Sequence, residues 1–429
     1  MSLACSTNLR GSQTEAMHWM LKVFFAGLMA WSFGAGETLH LTLREAVRVS
    51  LEKNPDLQKQ AFDVLSSEQD VNTAALRPNP QLNVNGDILA LGLHNDPPGP
   101  PLQPGNKQYG ASLSYPIETG GKRGERIESA KEQQAVSRGG LKEAQREMAS
   151  TVANAWLDVL EAQLTLELNQ KAKALLDSTV TVNQVRLRNQ VITPTELSRS
   201  IVAARQYSID VNEAQLQVAQ AGRTLALLLG MGDSDQVEID TQDTLDWSSD
   251  VIDSAVAQVE NRSDLSLARA ALEASKANYD LQQSLAQPDI DVSADFTEQQ
   301  SVPFYGLSLN IGLPLFDRNQ GEINKARIEE QQSEFALEEQ KKVVGVEVRS
   351  ALEEYRVHKN SRELAWLNLQ DSEKILQTVE YSYRSGNTTI LDFMDAQRTW
   401  YDAQQSYNDA LLAFERSGAK VMCSLGLSP

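Results

Sequence analysis

The chain has few of the residues that build metal sites and catalytic sites. Its 429 residues include two cysteines and four histidines, too few for a zinc cluster of Cys and His ligands. It contains no glycine-rich phosphate loop and no Ser/His/Asp order typical of hydrolases. The acidic pairs Glu329-Glu330 and Glu338-Glu339 fall in helical stretches, where they indicate solvated faces. We therefore expect a protein that is not an enzyme and has neither a cofactor nor a tightly held metal.

Positive charge and long apolar runs are also scarce. The chain has 39 Lys and Arg residues against 58 Asp and Glu residues, a net charge of −19. Nucleic-acid binding needs clustered positive charge to neutralise phosphates, so we expect no nucleic-acid partner. Beyond the first forty residues, no apolar run reaches the ~18 residues that a transmembrane helix requires. We therefore expect no transmembrane helix.

The N-terminus has the features of an export signal. Lys22 precedes the apolar residues 23–31, and several small residues follow within residues 32–36. A basic start, a short apolar region and a small-residue end are typical of a secretory signal peptide. We predict that residues 1–36 are this signal together with an upstream extension. Cys423 is then the one cysteine of the exported chain and forms no intrachain disulfide.

The sequence after the signal is an internal duplication. Shifted by 196 residues, it aligns with itself without a gap over a long span, so that Arg188 falls on Arg384 and Thr193 on Thr389. A repeat of this kind indicates two copies of one supersecondary plan, here a helix, two strands and a long helical hairpin. The predicted parts are a first repeat at residues 37–231, a linker or equatorial segment at residues 232–250, and a second repeat at residues 251–427.

Each repeat contains very long helical stretches. Residues 121–188 lack proline, and at 1.5 Å per residue they would form about 100 Å of helix. Apolar residues within this stretch follow heptad steps of four and three, at Met148, Val152, Ala155, Val159, Ala162 and Leu166. Such narrow apolar stripes, rich in Ala and Val, suit long helices that surround a water-filled interior. An antiparallel coiled coil with a mechanical role explains the helices equally well.

Each repeat also contains two short segments in which apolar and polar residues alternate, which predicts strands with one apolar face. The segments are residues 81–88, 108–115, 289–296 and 305–313, joined by loops at residues 95–105 and 297–303. About ten residues is the length of a tilted outer-membrane strand. Four strands cannot close a membrane barrel, and open edges are not tolerated in lipid. Several chains would therefore share one barrel, and three would supply twelve strands. A soluble antiparallel sheet is the alternative.

Three segments carry a resemblance to the TolC-like outer-membrane efflux family. They are residues 41–46, which are predicted to open the first helix, Asn54-Pro55-Asp56-Leu57, and residues 383–396. The resemblance implies a homotrimer in which a twelve-stranded β-barrel, in contact with outer-membrane lipid, continues into a long α-helical barrel across the periplasm. It also implies an exit duct that works with a periplasmic adaptor (membrane fusion) protein and an inner-membrane RND-type transporter.

Two further segments resemble the strand-to-helix junctions of the heavy-metal cation efflux members, the cobalt-zinc-cadmium type. They are residues 116–124 and 313–321. Physically, Pro116 and Pro314 are expected to end the strands, and Gly, Asn or Asp to permit the turn that follows. The resemblance implies heavy-metal cations as cargo. A duct for organic compounds and a periplasmic coiled-coil scaffold without channel activity are the alternatives.

The two predicted helix-hairpin turns, residues 188–193 and 384–389, occupy matching places in the repeats. Pro194 and Gly386 are expected to supply the breaks between helices. The resemblance places these turns at the periplasmic tip that meets the adaptor. The residues predicted to contact it are Arg188, Asn189, Gln190, Arg384, Ser385, Gly386 and Asn387.

Asp392 and Asp395 follow the second turn closely and lie three residues apart, so their carboxylates share one helix face. Threefold symmetry would bring six carboxylates around one axis and favour cations. The resemblance implies that these aspartates form the gate and that Tyr383 latches it, with Glu196 at the position of its partner. Thr388 stands where the family latch has an arginine. Two exposed acids favoured by the helix dipole are the alternative.

Overall fold

The computed structural model describes residues 39–88, 107–232, 237–239, 259–299 and 302–427. The predicted signal at residues 1–36, the predicted loop at residues 95–105 and most of the predicted linker lie outside the described residues. Contacts divide the chain into two compact units. One unit comprises residues 1–46 and 158–244, and the other comprises residues 47–157 and 245–429.

The described chain is mainly helical, with two small sheets. The helices are α1 (Leu43–Lys53), α2 (Pro55–Ala74), α3 (Lys122–Arg188), α4 (Pro194–Leu228), α5 (Ser263–Leu285), α6 (Gln320–Arg384) and α7 (Ile390–Ser424). The strands are β1 (Leu39–Leu41), β2 (Gln81–Ile88), β3 (Lys107–Ile117), β4 (Val237–Ile239), β5 (Ile290–Gln299) and β6 (Val302–Ile311). One order of elements occurs twice, as α2-β2-β3-α3-α4 and as α5-β5-β6-α6-α7.

The start of the first repeat differs from the expectation. Leu41 belongs to β1, which pairs in parallel with β4, so the first helix begins at Leu43 instead of Leu41. Thr42 fixes that start, because its hydroxyl accepts a hydrogen bond from the Glu45 amide while the Glu45 carboxylate accepts from Thr42. β4 lies inside the predicted linker, where three strand residues are too few to show an alternating pattern.

The two longest helices, α3 and α6, have 67 and 65 residues. Of the predicted heptad seam in α3, Val152, Ala155, Val159 and Ala162 are buried, whereas Met148 and Leu166 are half-buried. Trp156, Leu157 and Leu160 are buried as well. This stretch is therefore covered on more sides than a narrow seam predicts. Among the described residues, no helix has both the length and the hydropathy needed to cross a membrane.

The larger sheet is antiparallel throughout, with strand order β2-β3-β5-β6. Its bounds correct two expectations. Pro116 lies within β3, opposite Asp291, and does not end the strand. β2 begins opposite Ser114, so Pro116 lies in a part of β3 that has β5 as its one strand neighbour in the sheet, and proline is tolerated where one side of a strand is unpaired. The predicted loop at residues 297–303 is largely strand, since β5 runs to Gln299 and β6 starts at Val302 on the sheet edge.

A buried cluster of charges holds the C-terminal end of α7. The Arg262 side chain is 1% exposed and binds both carboxylate oxygens of Asp264, at 3.0 and 2.6 Å. It also binds Glu347 at 2.9 Å and donates to the backbone carbonyl of Ser424 at 2.7 Å. Arg146 donates to the backbone carbonyl of the preceding residue, Cys423. Two arginines therefore donate to carbonyls at the C-terminal end of α7, where the helix dipole favours positive charge.

We predict that Arg262→Ala lowers the free energy of unfolding by about 3–5 kcal/mol, because Asp264 would stay buried without its cation. Lys374→Ala is the control, since its pair with Asp371 is more than 70% exposed on both sides and contributes about 0–1 kcal/mol. Chemical unfolding followed by the helical circular dichroism signal measures both. Equal losses for the two variants would contradict the prediction.

The same cluster predicts a pH dependence. Burial raises the pKa of Asp264, but hydrogen bonding and charge from Arg262, with hydrogen bonds from Gln340 and the Leu265 amide, leave it below its ordinary value of 3.8. A lowered folded pKa means that the ion pair stabilises the fold above this value, and that stability is lost as the pH falls through the folded pKa. Unfolding curves of the unmodified protein and Asp264→Asn should therefore differ at neutral pH and converge in acid.

Candidate functional site at the two helix-hairpin turns

The chain reverses at two turns of the same backbone design. The first turn (residues 189–193) joins α3 to α4, and the second turn (residues 385–389) joins α6 to α7. In the first, the amides of Gln190 and Val191 donate to the carbonyls of Leu187 and Arg186, each at 2.9 Å. In the second, the amides 196 residues further on bond the equivalent carbonyls, at 3.0 and 2.8 Å. This crossed pair of bonds is the Schellman motif of helix ends.

Gln190 and Gly386 make the reversal itself. Both have the left-handed backbone conformation, with φ of 60° and 82°. The expectation for Gly386 is therefore met, whereas Pro194 does not break α3. Pro194 is instead the first residue of α4, where the N–H that proline lacks has no helical partner. The sequence does not reveal Gln190 because glutamine has no preference for this conformation, whereas glycine has.

A capping box starts the helix after each turn. The Thr193 hydroxyl accepts from the Glu196 amide, and the Glu196 carboxylate accepts from the Thr193 amide at 2.7 Å. Thr389 and Asp392 repeat the arrangement at the start of α7, with 3.2 Å between the Thr389 amide and the Asp392 carboxylate. Threonine with an acid three residues later satisfies amides that the first helical turn leaves without partners.

The two acids of the second turn are in different surroundings. One Asp392 oxygen accepts from the hydroxyl of Thr389 at 2.7 Å and from that of Thr388 at 2.9 Å. These bonds, with the Thr389 amide, lower the pKa of Asp392. Asp395 is exposed, and within the part of the chain that the structure describes its carboxylate makes no hydrogen bond or ion pair. Asp392 is thus part of the turn, and Asp395 is available to solvent and ions.

The predicted latch residues are also placed. Tyr383 is 4% exposed, and its ring stacks on that of Phe393 with 5.2 Å between centroids and 11° between planes. The carboxylate of Glu196 is held in its capping box, and hydrogen bonds from the backbone and side chain of Thr193 lower its pKa. The predicted pairing of Tyr383 with Glu196 stays a prediction.

The residues predicted to contact an adaptor lie at the surface of the two turns. Arg384 forms an ion pair with Glu380, one helical turn earlier. The exposed residues are Arg188, Asn189 and Gln190 at the first turn, and Arg384, Ser385, Gly386 and Asn387 at the second. Within the described residues, no group of three or more His, Cys, Asp or Glu side chains is arranged to hold a metal ion.

A sequence profile described as outer membrane efflux protein matches residues 46–231 and 256–427. The chain belongs to this family. The resemblance to TolC-like efflux proteins is therefore confirmed, and so is the location, since outer membrane efflux proteins span the outer membrane and extend into the periplasm. Members of the family are transport ducts rather than enzymes, and they form trimers that work with adaptor and transporter partners.

Two relatives show how the family is used elsewhere. The cobalt-zinc-cadmium resistance protein CzcC of Cupriavidus metallidurans is 24% identical over 374 residues, 86% of this chain and 85% of that protein. The pyoverdine export outer membrane protein OpmQ of Pseudomonas putida is 27% identical over 267 residues, 59% of this chain and 56% of that protein. One of these relatives is therefore a metal-resistance protein, and the other is an exporter of an organic compound.

Solved structures share the fold. The channel-forming protein CusC superposes with a TM-score of 0.74 at 18% identity, covering 92% of this chain and 96% of CusC. The outer membrane protein VceC of Vibrio cholerae superposes with a TM-score of 0.73 at 17% identity, covering 90% and 96%. The outer membrane efflux fold is therefore present over nearly the whole chain.

We predict that Thr389→Ala weakens the start of α7 by about 1 kcal/mol, because its capping box is lost. Hydrogen exchange of the amides at residues 389–393 should become roughly fivefold faster, as expected for local opening. Thr399→Ala is the matched control, because that hydroxyl only bonds the carbonyl of Asp395 within the same helix. Equal exchange in the two variants would show that the box does not hold the turn.

Proposed function

We propose that this protein is the outer-membrane exit duct of a tripartite efflux pump. It is a homotrimer that passively conducts exported heavy-metal cations from an RND-type transporter and its adaptor to the outside. The observation that carries the proposal is the four-stranded sheet, whose register gathers the apolar side chains of both repeats on one exposed face.

The pairing aligns these side chains in rows across the sheet. One row is Leu82, Leu113, Ala294 and Leu307. The exposed fractions within it reach 70% at Leu82 and 87% at Leu307. Water disfavours such a contiguous apolar surface, whereas lipid hydrocarbon favours it. The row pattern therefore supports a lipid-facing sheet rather than a soluble one.

The two edges of the sheet support assembly from several chains. β2 and β6 each have one strand neighbour within the described residues. Three successive antiparallel pairings make β2 and β6 run in opposite directions, so β6 of one chain can pair antiparallel with β2 of the next. Closure removes edges that lipid does not tolerate, and three chains supply a barrel of twelve strands. The family match gives no support to a coiled-coil scaffold without channel activity.

The opposite face of the sheet supports cations as cargo. At its positions, the ionisable residues of the described strands are Asp87, Asp291 and Asp295, all of them acidic. The Ser308 hydroxyl bonds both Ser293 and Asp295, which makes this face hydrophilic. In a closed barrel it lines the lumen, and acidic linings favour cations. The match to CzcC, which covers more of this chain than the match to OpmQ, also supports metal cations as cargo. The match to OpmQ favours an organic cargo as the second candidate.

The exposed residues of the two turns form the adaptor contact in this proposal. Asn189→Cys and Ser385→Cys should each crosslink to the adaptor in cells, because both side chains are exposed beside rigid turns. Gln299→Cys is the control and should not crosslink, because Gln299 is the last residue of β5, at the end of the strand that is farther from α5. Buried Cys423 adds no background. Crosslinking from Gln299→Cys alone would reverse the proposed orientation.

The gate in this proposal is a ring of acids near the second turn, with Asp392 and Asp395 contributed by each chain. Because Asp392 is held by its turn, we expect Asp395 to carry most of the cation preference. In planar-bilayer recordings, the unmodified trimer should conduct cations and be blocked by multivalent cations from the periplasmic side. Asp395→Ala should lose more of this preference and block than Asp392→Ala.

Asp402→Ala is the matched control, an exposed acid two helical turns further along α7. Unchanged selectivity and unchanged block in Asp395→Ala would contradict the proposed gate, and absence of any conductance would contradict the proposed duct.

The proposed latch between Tyr383 and Glu196 is tested separately. Tyr383→Phe keeps the ring that stacks on Phe393 but removes the hydroxyl. Combined with Glu196→Gln in one double variant, it should raise the fraction of time that the channel is open in the same recordings.

A further inference from the structure

We propose that residues 313–316, Leu-Pro-Leu-Phe, anchor the chain in the lipid at the periplasmic surface of the outer membrane. The segment lies between β6 and α6, where the proposed barrel meets the helices. The inference rests on the proposed function, because it requires the sheet to lie in the membrane. It also gives a role to one of the two junction segments that resemble metal-efflux proteins.

The segment exposes more apolar surface than its surroundings. Phe316 is 93% exposed, and Leu313 and Leu315 are 74% and 66% exposed. Leu313 and Leu315 continue the every-second-residue spacing of Leu309 and Ile311 on the proposed lipid-facing side of β6, and Phe316 directly follows them. The apolar face of the sheet therefore extends without interruption into this turn.

The exposure is imposed by a rigid turn. The Leu315 amide donates to the Leu313 carbonyl at 2.8 Å, and Gln320 donates from its side chain to the Phe316 carbonyl at 3.1 Å. Asn319 has a left-handed backbone, and its side-chain amide binds the carbonyl and side-chain oxygens of Gln282 in α5. The turn is thus fixed to the neighbouring helix while its apolar side chains remain outside.

The side chains of Leu315 and Phe316 take no part in the nearby surface depression. That depression is lined by residues that include Leu285, Pro288 and Leu313, together with the polar side chains of Asp317 and Asn319. Neither Leu315 nor Phe316 lines it. Both side chains therefore present their apolar surface to the outside of the chain.

The equivalent junction of the first repeat is polar and engaged within the chain. Glu118 pairs with Arg126, Thr119 donates to the Pro288 carbonyl, and Lys122 binds Asp289 at 2.8 Å. The two junctions therefore have different tasks. The first ties the repeats together, and the second presents apolar side chains outward.

Lipid at the membrane surface matches this chemistry. Aromatic residues collect where hydrocarbon meets headgroups, and outer-membrane barrels have such girdles at both rims. The Arg318 side chain donates to the Pro314 carbonyl at 3.1 Å, which holds a positive charge beside this segment, where the proposal puts lipid phosphates. We therefore assign the segment to lipid and treat a neighbouring chain as the competing occupant.

Tryptophan substitutions in reconstituted trimers test the assignment. Phe316→Trp and Leu315→Trp are the reporters, in vesicles whose phospholipids are brominated near the headgroup end of the acyl chains. Leu307→Trp is the control for the sheet. Phe335→Trp is the control for exposure, because it is 77% exposed but lies about 22 Å along α6 from Gln320. Each spectrum is taken as the difference from the unmodified trimer, which has its own tryptophans.

We expect brominated lipid to quench the added fluorescence at positions 307, 315 and 316 and to leave position 335 unquenched. Quenching at 307 with none at 315 and 316 would overturn the anchor and leave the duct intact. A blue-shifted but unquenched signal at 316 would identify a neighbouring chain as the occupant and would likewise overturn it. No quenching at 307 would contradict the placement of the sheet in the membrane, so the proposed function and the proposed anchor would both be overturned.

Discussion

Backbone hydrogen bonding in the four-stranded sheet is the constraint on which the rest of this structure depends. Strands β3 and β5 are paired on both sides, whereas β2 and β6 each have one described neighbour. A sheet whose apolar face requires lipid cannot leave those edges open. In the proposed trimer, strands of the neighbouring copies close these edges, and the long helices of the three chains surround a common interior.

The duplication gives the chain two helix-hairpin turns that share one set of interactions but differ in some of their residues. Both hairpins close with the same crossed hydrogen bonds and restart with a threonine and an acid. Gln190 adopts in the first turn a backbone conformation that Gly386 reaches without steric cost in the second. The capping box is therefore the shared device, and the residue at the reversal is free to vary.

Charge has two separate roles in this acidic chain. Around Arg262 it is buried and neutralised, and it holds the end of α7. On the polar face of the sheet and at Asp395 it is accessible, as the proposed conduction of cations requires. Asp392 and Asp395 have these different surroundings although they lie only three positions apart, one as a helix cap and the other as a solvent-facing acid.

Sequence alone determined the parts that depend on local pattern and on repetition. Period-two alternation located all four long strands, proline-free heptads located α3, and glycine at 386 located the second turn. Strand ends depend on neighbouring strands, since Pro116 lies in the part of β3 that pairs with β5 but not with β2. β4 and Gln190 gave no signal, since three residues are too short for a pattern and glutamine has no turn preference. Only the tertiary structure decided that the apolar rows of both repeats align on one face, that Asp392 is held by its own turn, and that Phe316 stays exposed. These features depend on register and on partners far away in sequence, which no local pattern specifies.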